Sequence, residues 1–304
     1  MLDAKETILL ARQKGTVIPA FNIPYLPMLE PVAQAVKDEN SIAIIHVARL
    51  EWEKFSAKSL EAVAEEYWKF EKPGCTILGL DHVPAIDEDL KRVDYLPIIQ
   101  RAIEAGYQSV MIDGSRLSLE ENIAATAEVA DLAHKHGLAC EGELGAVMGH
   151  ESGPAKPYEE IFAAKLGFTN IDEAKRFSKE SHCDWLSVAV GNIHGAVAEA
   201  TRHQKKPEAR LDIEHIAALY QAVGLPLVLH GGSGIQLEFI KRGIKAGIAK
   251  INVGTEIRQA YEKGIASSDA QQAQKMVYQR VRELIADMEI ANSRDLLFGA
   301  TPQA

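Results

Sequence analysis

Eight short apolar runs of strand length punctuate the chain: TVIPAFN at 16–22, SIAIIHV at 41–47, TILGLDH at 76–82, SVMID at 109–113, ACEGEL at 139–144, WLSVAV at 185–190, LPLVLH at 225–230 and AKINVG at 249–254. Several are close to continuously apolar, as strands buried on both faces of a parallel sheet are. The intervening segments carry helical spacing instead. Over 119–136, Ile123, Ala127, Val129, Ala130 and Ala133 recur on one face, and 213–222 behaves similarly. Glycines at 106, 137, 224 and 247 supply helix stops. Parallel strands alternating with crossover helices, in eight units of similar size, predict a closed (β/α)8 or TIM barrel, with extra helices at 4–14 and 268–291. A doubly wound open sheet is the rival topology. No linker splits the pattern, so one domain over 1–304 is expected. The least regular connection, 145–170, carries GHESGPAKP at 149–157 and is long for a loop between strand and helix.

Composition narrows the function classes. A formal net charge of -10 with no Lys/Arg run argues against nucleic acid and anionic membranes as partners, so an anionic small molecule would need a local positive site. Cys75, Cys140 and Cys183 are far apart, as expected of reduced thiols rather than a disulfide frame. No basic leader followed by an apolar run and no membrane-length segment occurs, and a cytoplasmic location is expected.

In a closed barrel of this kind the active site lies at the carboxyl ends of the strands. The polar residues there are Asn22, Asp81, His82, Asp113, Glu141, Glu143, His194, His230 and Asn252. Three histidines and several carboxylates on one rim suit a divalent metal, with imidazole favouring Zn2+. His46, His134, His136, His203 and His215 lack that placement and read as packed or solvated side chains. The glycine turn HGGSG at 230–234 and NVGT at 252–255 follow strands seven and eight, where backbone N–H groups, Ser233 and Thr255 could cradle a phosphate.

Taken together, LDH at 80–82, MIDGS, EGELG, GNIHG, LHGGSG and KINVGT resemble, in their order, the class II metal-dependent fructose- and tagatose-bisphosphate aldolases, from AFN at 20–22 to about residue 258. The resemblance implies Zn2+ on His82, His194 and His230, with Glu143 as a ligand in a resting or alternative position. It implies Asp81 as the acid/base for the C4 hydroxyl of the ketose and Glu151 as the loop residue that moves the C3 proton of dihydroxyacetone phosphate. Gly195, Gly231, Gly232, Ser233, Asn252, Val253, Gly254 and Thr255 correspond to the 1-phosphate cradle, in which a monovalent cation (Na+ or K+) often takes part, and Asn22 and Asp113 line the site. A homodimer or homotetramer is the family expectation.

Departures from the family pattern gather on the aldehyde side. Val83-Pro84-Ala85 follows LDH where glycine and acidic residues are usual, Ala48 stands where a serine is usual, Arg116 replaces a histidine, and no C-terminal arginine for a distal phosphate can be matched. The substrate is thus either a ketose 1,6-bisphosphate or a related ketose 1-phosphate with an acidic aldehyde half, for example sulfonated or carboxylated, with Arg49 or Arg116 as anion contact. The plain alternative makes both arginines solvated surface residues, and 83–89 reads as a solvated loop. Two further readings are a metal-dependent hydrolase on the same barrel and a non-catalytic aldolase subunit. The first lacks a His-x-His pair at the end of strand one; the second need not retain Asp81 and all three histidines.

Overall fold

Every apolar run becomes a strand whose side chains alternate between the barrel interior and the helical shell. The computed structural model describes residues 2–146, 158–192 and 209–300. Its strands are β1 (Ile18–Asn22), β2 (Ala43–Ala48), β3 (Thr76–Asp81), β4 (Val83–Pro84), β5 (Ser109–Asp113), β6 (Ala139–Leu144), β7 (Trp185–Val188), β8 (Leu227–Leu229) and β9 (Ile248–Val253). All pairings between them are parallel. The order β3-β2-β1-β9-β8-β7-β6-β5-β4 closes through β3 against β5, giving an eight-stranded TIM barrel with β4 as a short supplement.

Alternation sorts the core into two layers. Ile18, Ala20, Ile44, Ile77, Ala139, Trp185 and Val228 fill the inside, together with Ile8 and Ala11 of the helix Ala4–Lys14, which packs against the same cluster. Phe21, Ile45, Val47, Leu78, Leu80, Val110 and Ile112 face the helices. The same two-residue step carries the interior line of each strand toward its carboxyl end. There it delivers Asn22, His46, Asp81, Glu141, Glu143, Lys250 and Asn252, all buried.

Helix limits follow the caps. Asp3 caps Glu6 N–H at 2.7 Å and Gly15 turns left-handed at the other end. The C-terminal helix is Ala270–Asp287, shorter than the expected 268–291, because the Asp269 side chain caps it at Gln272 N–H and a turn follows Met288. A further helix, Ser293–Phe298, then forms. No helix among the described residues is long and apolar enough to cross a membrane. Cys75, Cys140 and Cys183 are buried free thiols.

The segment 83–89 corrects the sequence expectation of a solvated loop. Val83 and Pro84 pair with Ile112 and Asp113, and Val83, Ala85 and Asp87 are buried. The cause is local: β3 and β5 touch at one register point, Gly79 opposite Ser109, and the chain after His82 fills the rest of the seam. Asp87 then closes the loop by accepting from the N–H groups of Asp89 and Lys91.

Candidate active site

Asp81 ends β3 and points into the barrel mouth, almost fully buried. Its Oδ2 accepts from Asn22 Nδ2 at 2.8 Å and its Oδ1 from Asn252 Nδ2 at 2.9 Å. His82 Nδ1 lies 3.3 Å from Oδ1, and His46 Nδ1 3.7 Å from the same oxygen. Burial opposes the charge on Asp81, but His82 beside it holds the carboxyl well below the usual carboxylate range. An ionised carboxylate is thus fixed by two amides at the carboxyl end of β3.

Around it lie groups that could hold a metal ion. His230 Nδ1 is 3.1 Å from His82 Nε2, and Glu143 Oε2 is 3.5 Å from His82 Nε2 and 3.6 Å from His230 Nδ1. Asp81, His82 and His230 form one group able to share an ion, and His82, Asp113 and Glu143 a second. Glu143 Oε2 is buried without a hydrogen-bond donor among the described residues. Burial, reinforced by the charge of Asp113, pushes the Glu143 carboxyl well above its ordinary value. Burial disfavours the His82 imidazolium, but Asp81 and Glu143 outweigh that and raise it to about 10, while His230 is lowered by burial and by His82. Crowded nitrogen and carboxylate donors of this kind fit a divalent cation, which would satisfy the orphaned oxygen and relieve the mutual repulsion. His194, the third expected imidazole, lies outside the described residues, as do Glu151 and Gly195.

Beneath these groups is a layer that sequence reading left mostly unassigned. Glu141 Oε1 lies 2.7 Å from His230 Nε2, while its Oε2 accepts from Trp185 Nε1 and from Lys250 Nζ, both at 2.6 Å. Lys250 is fully buried. Despite the burial, Lys250 and His230 lower the Glu141 carboxyl to about 2. The carboxylate therefore fixes the orientation of the His230 ring from behind and leaves Nδ1 turned toward His82 and Glu143. The two-residue step places Lys250 on the same face as Asn252, but nothing in the strand marks Glu141 as its partner.

The turns after β8 and β9 lie side by side. Gly232 N–H donates to the Asn252 carbonyl at 3.1 Å, and a Cβ on Gly232 would come within 2.5 Å of Ile251 Cγ2. Gly231 and Gly234 adopt positive φ values of 64° and 82°. Val253 ends β9, and the helix Thr255–Ser267 starts directly after Gly254, which offers no side chain to cap it. The first N–H groups of a 13-residue helix thus face the mouth beside the buried Ser233, a geometry that suits a phosphate.

On the opposite side, Arg49 and Arg116 converge on one residue. Arg49 pairs with Glu53 at 2.8 Å and lies 3.7 Å from Asp87 Oδ2; Arg116 Nη1 donates to the Asp87 carbonyl at 2.5 Å. The Asp113 side chain, half-buried, turns its Oδ1 to the Ser115 N–H. Glu51 was also missed from sequence. Its Oε2 accepts from Ala48 N–H at 2.8 Å and from Asn22 Nδ2 at 3.4 Å.

With this geometry in hand, three kinds of likeness agree. The family model described as "Fructose-bisphosphate aldolase class-II" matches residues 2–296. A Bacillus subtilis protein described as "Probable fructose-bisphosphate aldolase" is 31% identical over 313 residues, covering 100% of this chain and 99% of its own. A Bacillus velezensis 6-phospho-5-dehydro-2-deoxy-D-gluconate aldolase is 34% identical over 255 residues, 83% of this chain and 78% of that one. Its counterpart from Shouchella clausii is 31% identical over 268 residues, 82% and 85% of the two chains. Among solved structures, the YdjI aldolase of Escherichia coli K12 superposes with a TM-score of 0.75 at 29% identity, covering 97% of this chain and 100% of that one.

Proposed function

Because the chain belongs to the class II fructose-bisphosphate aldolase family, we propose that it cleaves a ketose 1-phosphate reversibly, releasing dihydroxyacetone phosphate and an aldehyde, with Zn2+ as the resident metal. The family is metal-dependent and acts on sugar phosphates. The observation that carries the proposal is the convergence of an ionised, doubly held Asp81 with His82, His230 and the orphaned Glu143 oxygen at one barrel mouth. His82, His194 and His230 would hold the ion, with Glu143 as the alternative ligand; when bound, it supplies Lewis-acid stabilisation of the charge that develops at the ketone oxygen.

The remaining steps belong to the protein. The turns at Gly231, Gly232 and Ser233 and at Asn252, Val253, Gly254 and Thr255, with Gly195, hold the 1-phosphate, a monovalent cation (Na+ or K+) helping to balance its charge. Asp81 takes the proton of the C4 hydroxyl as the C3–C4 bond breaks; the electron pair moves onto the C2–C3 fragment, which leaves as the enediolate of dihydroxyacetone phosphate. Glu151 then returns a proton to C3. Asn22 holds Asp81 for its part, and Asp113 lines the site. One domain, a cytoplasmic location and a homodimeric or homotetrameric assembly complete the reading.

For the aldehyde, fructose and tagatose 1,6-bisphosphates are the first candidates. A second reading, an acidic aldehyde half, is favoured by the relatives named for a phosphorylated dehydrogluconate, whose cleavage at the equivalent bond leaves a carboxylated three-carbon aldehyde. Arg49 and Arg116 would serve as its anion contact only by leaving Asp87, whose carboxylate and carbonyl they engage. A panel of these three substrates, assayed for dihydroxyacetone phosphate with and without a chelator, tests both. Chelator-sensitive release is expected from at least one; release that survives chelation rules out the metal-dependent mechanism. Full turnover of both bisphosphates, unchanged in Arg49→Ala and Arg116→Ala, rules out the acidic-aldehyde reading. Asp81→Asn, which keeps the shape but not the base, is expected to lower kcat by roughly 10²–10⁴-fold with the metal still bound.

A further inference from the structure

We infer that Glu51, on the short helix Arg49–Lys54 after β2, is a positioning residue that orients Asn22 and through it the acid/base Asp81. The inference rests on the aldolase reading above. Ala48 and Asp81 are register partners on β2 and β3, so the helix that starts after Ala48 begins directly beside the acid/base. Ala48 brings only a methyl to that spot. The carboxyl comes instead from one turn further on, where a single oxygen, Glu51 Oε2, accepts both the Ala48 N–H at 2.8 Å and Asn22 Nδ2 at 3.4 Å. The first contact ties down the start of the helix; the second reaches into the site.

Asn22 has one nitrogen with two hydrogens. One points to Asp81 Oδ2 at 2.8 Å and the other to Glu51. With a carboxyl oxygen on each side, the amide can face this way only with its nitrogen, since the flipped rotamer would set its oxygen against both. Glu51 thereby fixes which end of Asn22 meets Asp81. Burial, with the Ala48 N–H opposing and the charge of Asp81 adding, pushes the Glu51 carboxyl up to about 8. At neutral pH it is therefore mostly the uncharged acid, and glutamine is its close mimic in size and in acceptor oxygen.

The metal-loaded wild type, Glu51→Met and Glu51→Gln separate the possibilities by two reactions. Cleavage of fructose 1,6-bisphosphate, tagatose 1,6-bisphosphate or 6-phospho-5-dehydro-2-deoxy-D-gluconate needs Asp81. Exchange of the C3 hydrogen of dihydroxyacetone phosphate with D2O, followed by NMR, does not. Glu51→Met is expected to lower kcat for cleavage tenfold or more, with KM and the exchange rate within about twofold of wild type. Glu51→Gln is expected to restore most of the cleavage rate. If the methionine variant does not fold, Glu51→Asp takes its place: it keeps a cap acceptor but withdraws the oxygen from Asn22, and the same selective loss is expected. Parallel loss of both reactions, cleavage unaffected in the variants, or glutamine no better than methionine overturns the inference alone. A wild type showing neither reaction on this panel overturns the aldolase reading and the inference with it.

Discussion

Lys250 shows what a single buried charge does here. Its ammonium is fully enclosed and bound to Glu141, which in turn holds His230. Removing one member of such a pair leaves the other charged and unsolvated, so Lys250→Met is expected to destabilise the fold by roughly 3–5 kcal/mol, read from denaturant unfolding. At this scale the sequence was legible where a residue sat at a strand end and opaque where it sat inside one. Asp81, His82, Glu143, His230 and Asn252 could be picked out by position, and the structure brings them together. Lys250 and Trp185 lay within apolar runs, and Glu51 on a helix, so their contacts with Glu141 and Asn22 depend on partners about 30 to 110 residues away, which no local pattern encodes.

At the scale of elements, eight strands were readable because a doubly buried parallel strand leaves a dense apolar signature. The ninth, Val83–Pro84, was not: two residues carry no periodicity, and proline argues against a strand. Pro84 is admitted because this piece sits at the sheet's end beside β5 alone. The closing seam itself depends on Gly79. A Cβ there would lie 2.6 Å from the His46 ring and 2.7 Å from Ser109 Oγ. Gly79→Ala is therefore expected to cost about 1–3 kcal/mol through overpacking, measurable as a lowered unfolding midpoint, and to disturb His46 next to Asp81.

For the whole molecule, an overall charge of -10 and a mouth crowded with ligand groups make metal and proton compete for one place. In the metal-free protein His82 is raised to about 10 and the Glu143 carboxyl stands well above its ordinary value. His82 therefore holds its proton at neutral pH, and a cation must displace it. Apparent Zn2+ affinity should rise by about tenfold per pH unit from pH 6 to 8, with a proton released on binding. Chelator competition and calorimetry in buffers of different ionisation enthalpy would read both. The opposite slope, or none, would contradict the ligand assignment. Closure of the barrel was legible from the count and even size of its units, whereas the electrostatics of the mouth emerge only once the strands are brought side by side.

The break at His82 sets β3 and β4 on either side of a single residue, with Arg49 N–H holding the His82 carbonyl at 3.2 Å. Upstream of that joint the chain is committed to the barrel; downstream of Pro84 it stays anchored through Ala85 on Asp113 and through Asp87 on Lys91, and the exposed tip is Asp89 and Leu90. Insertions or exchanges are therefore expected to be accepted at that tip without moving the histidine. The anchored stretch separates what lineage must preserve from what it can rewrite, and a loop transplant between relatives has its natural cut sites beyond Asp87.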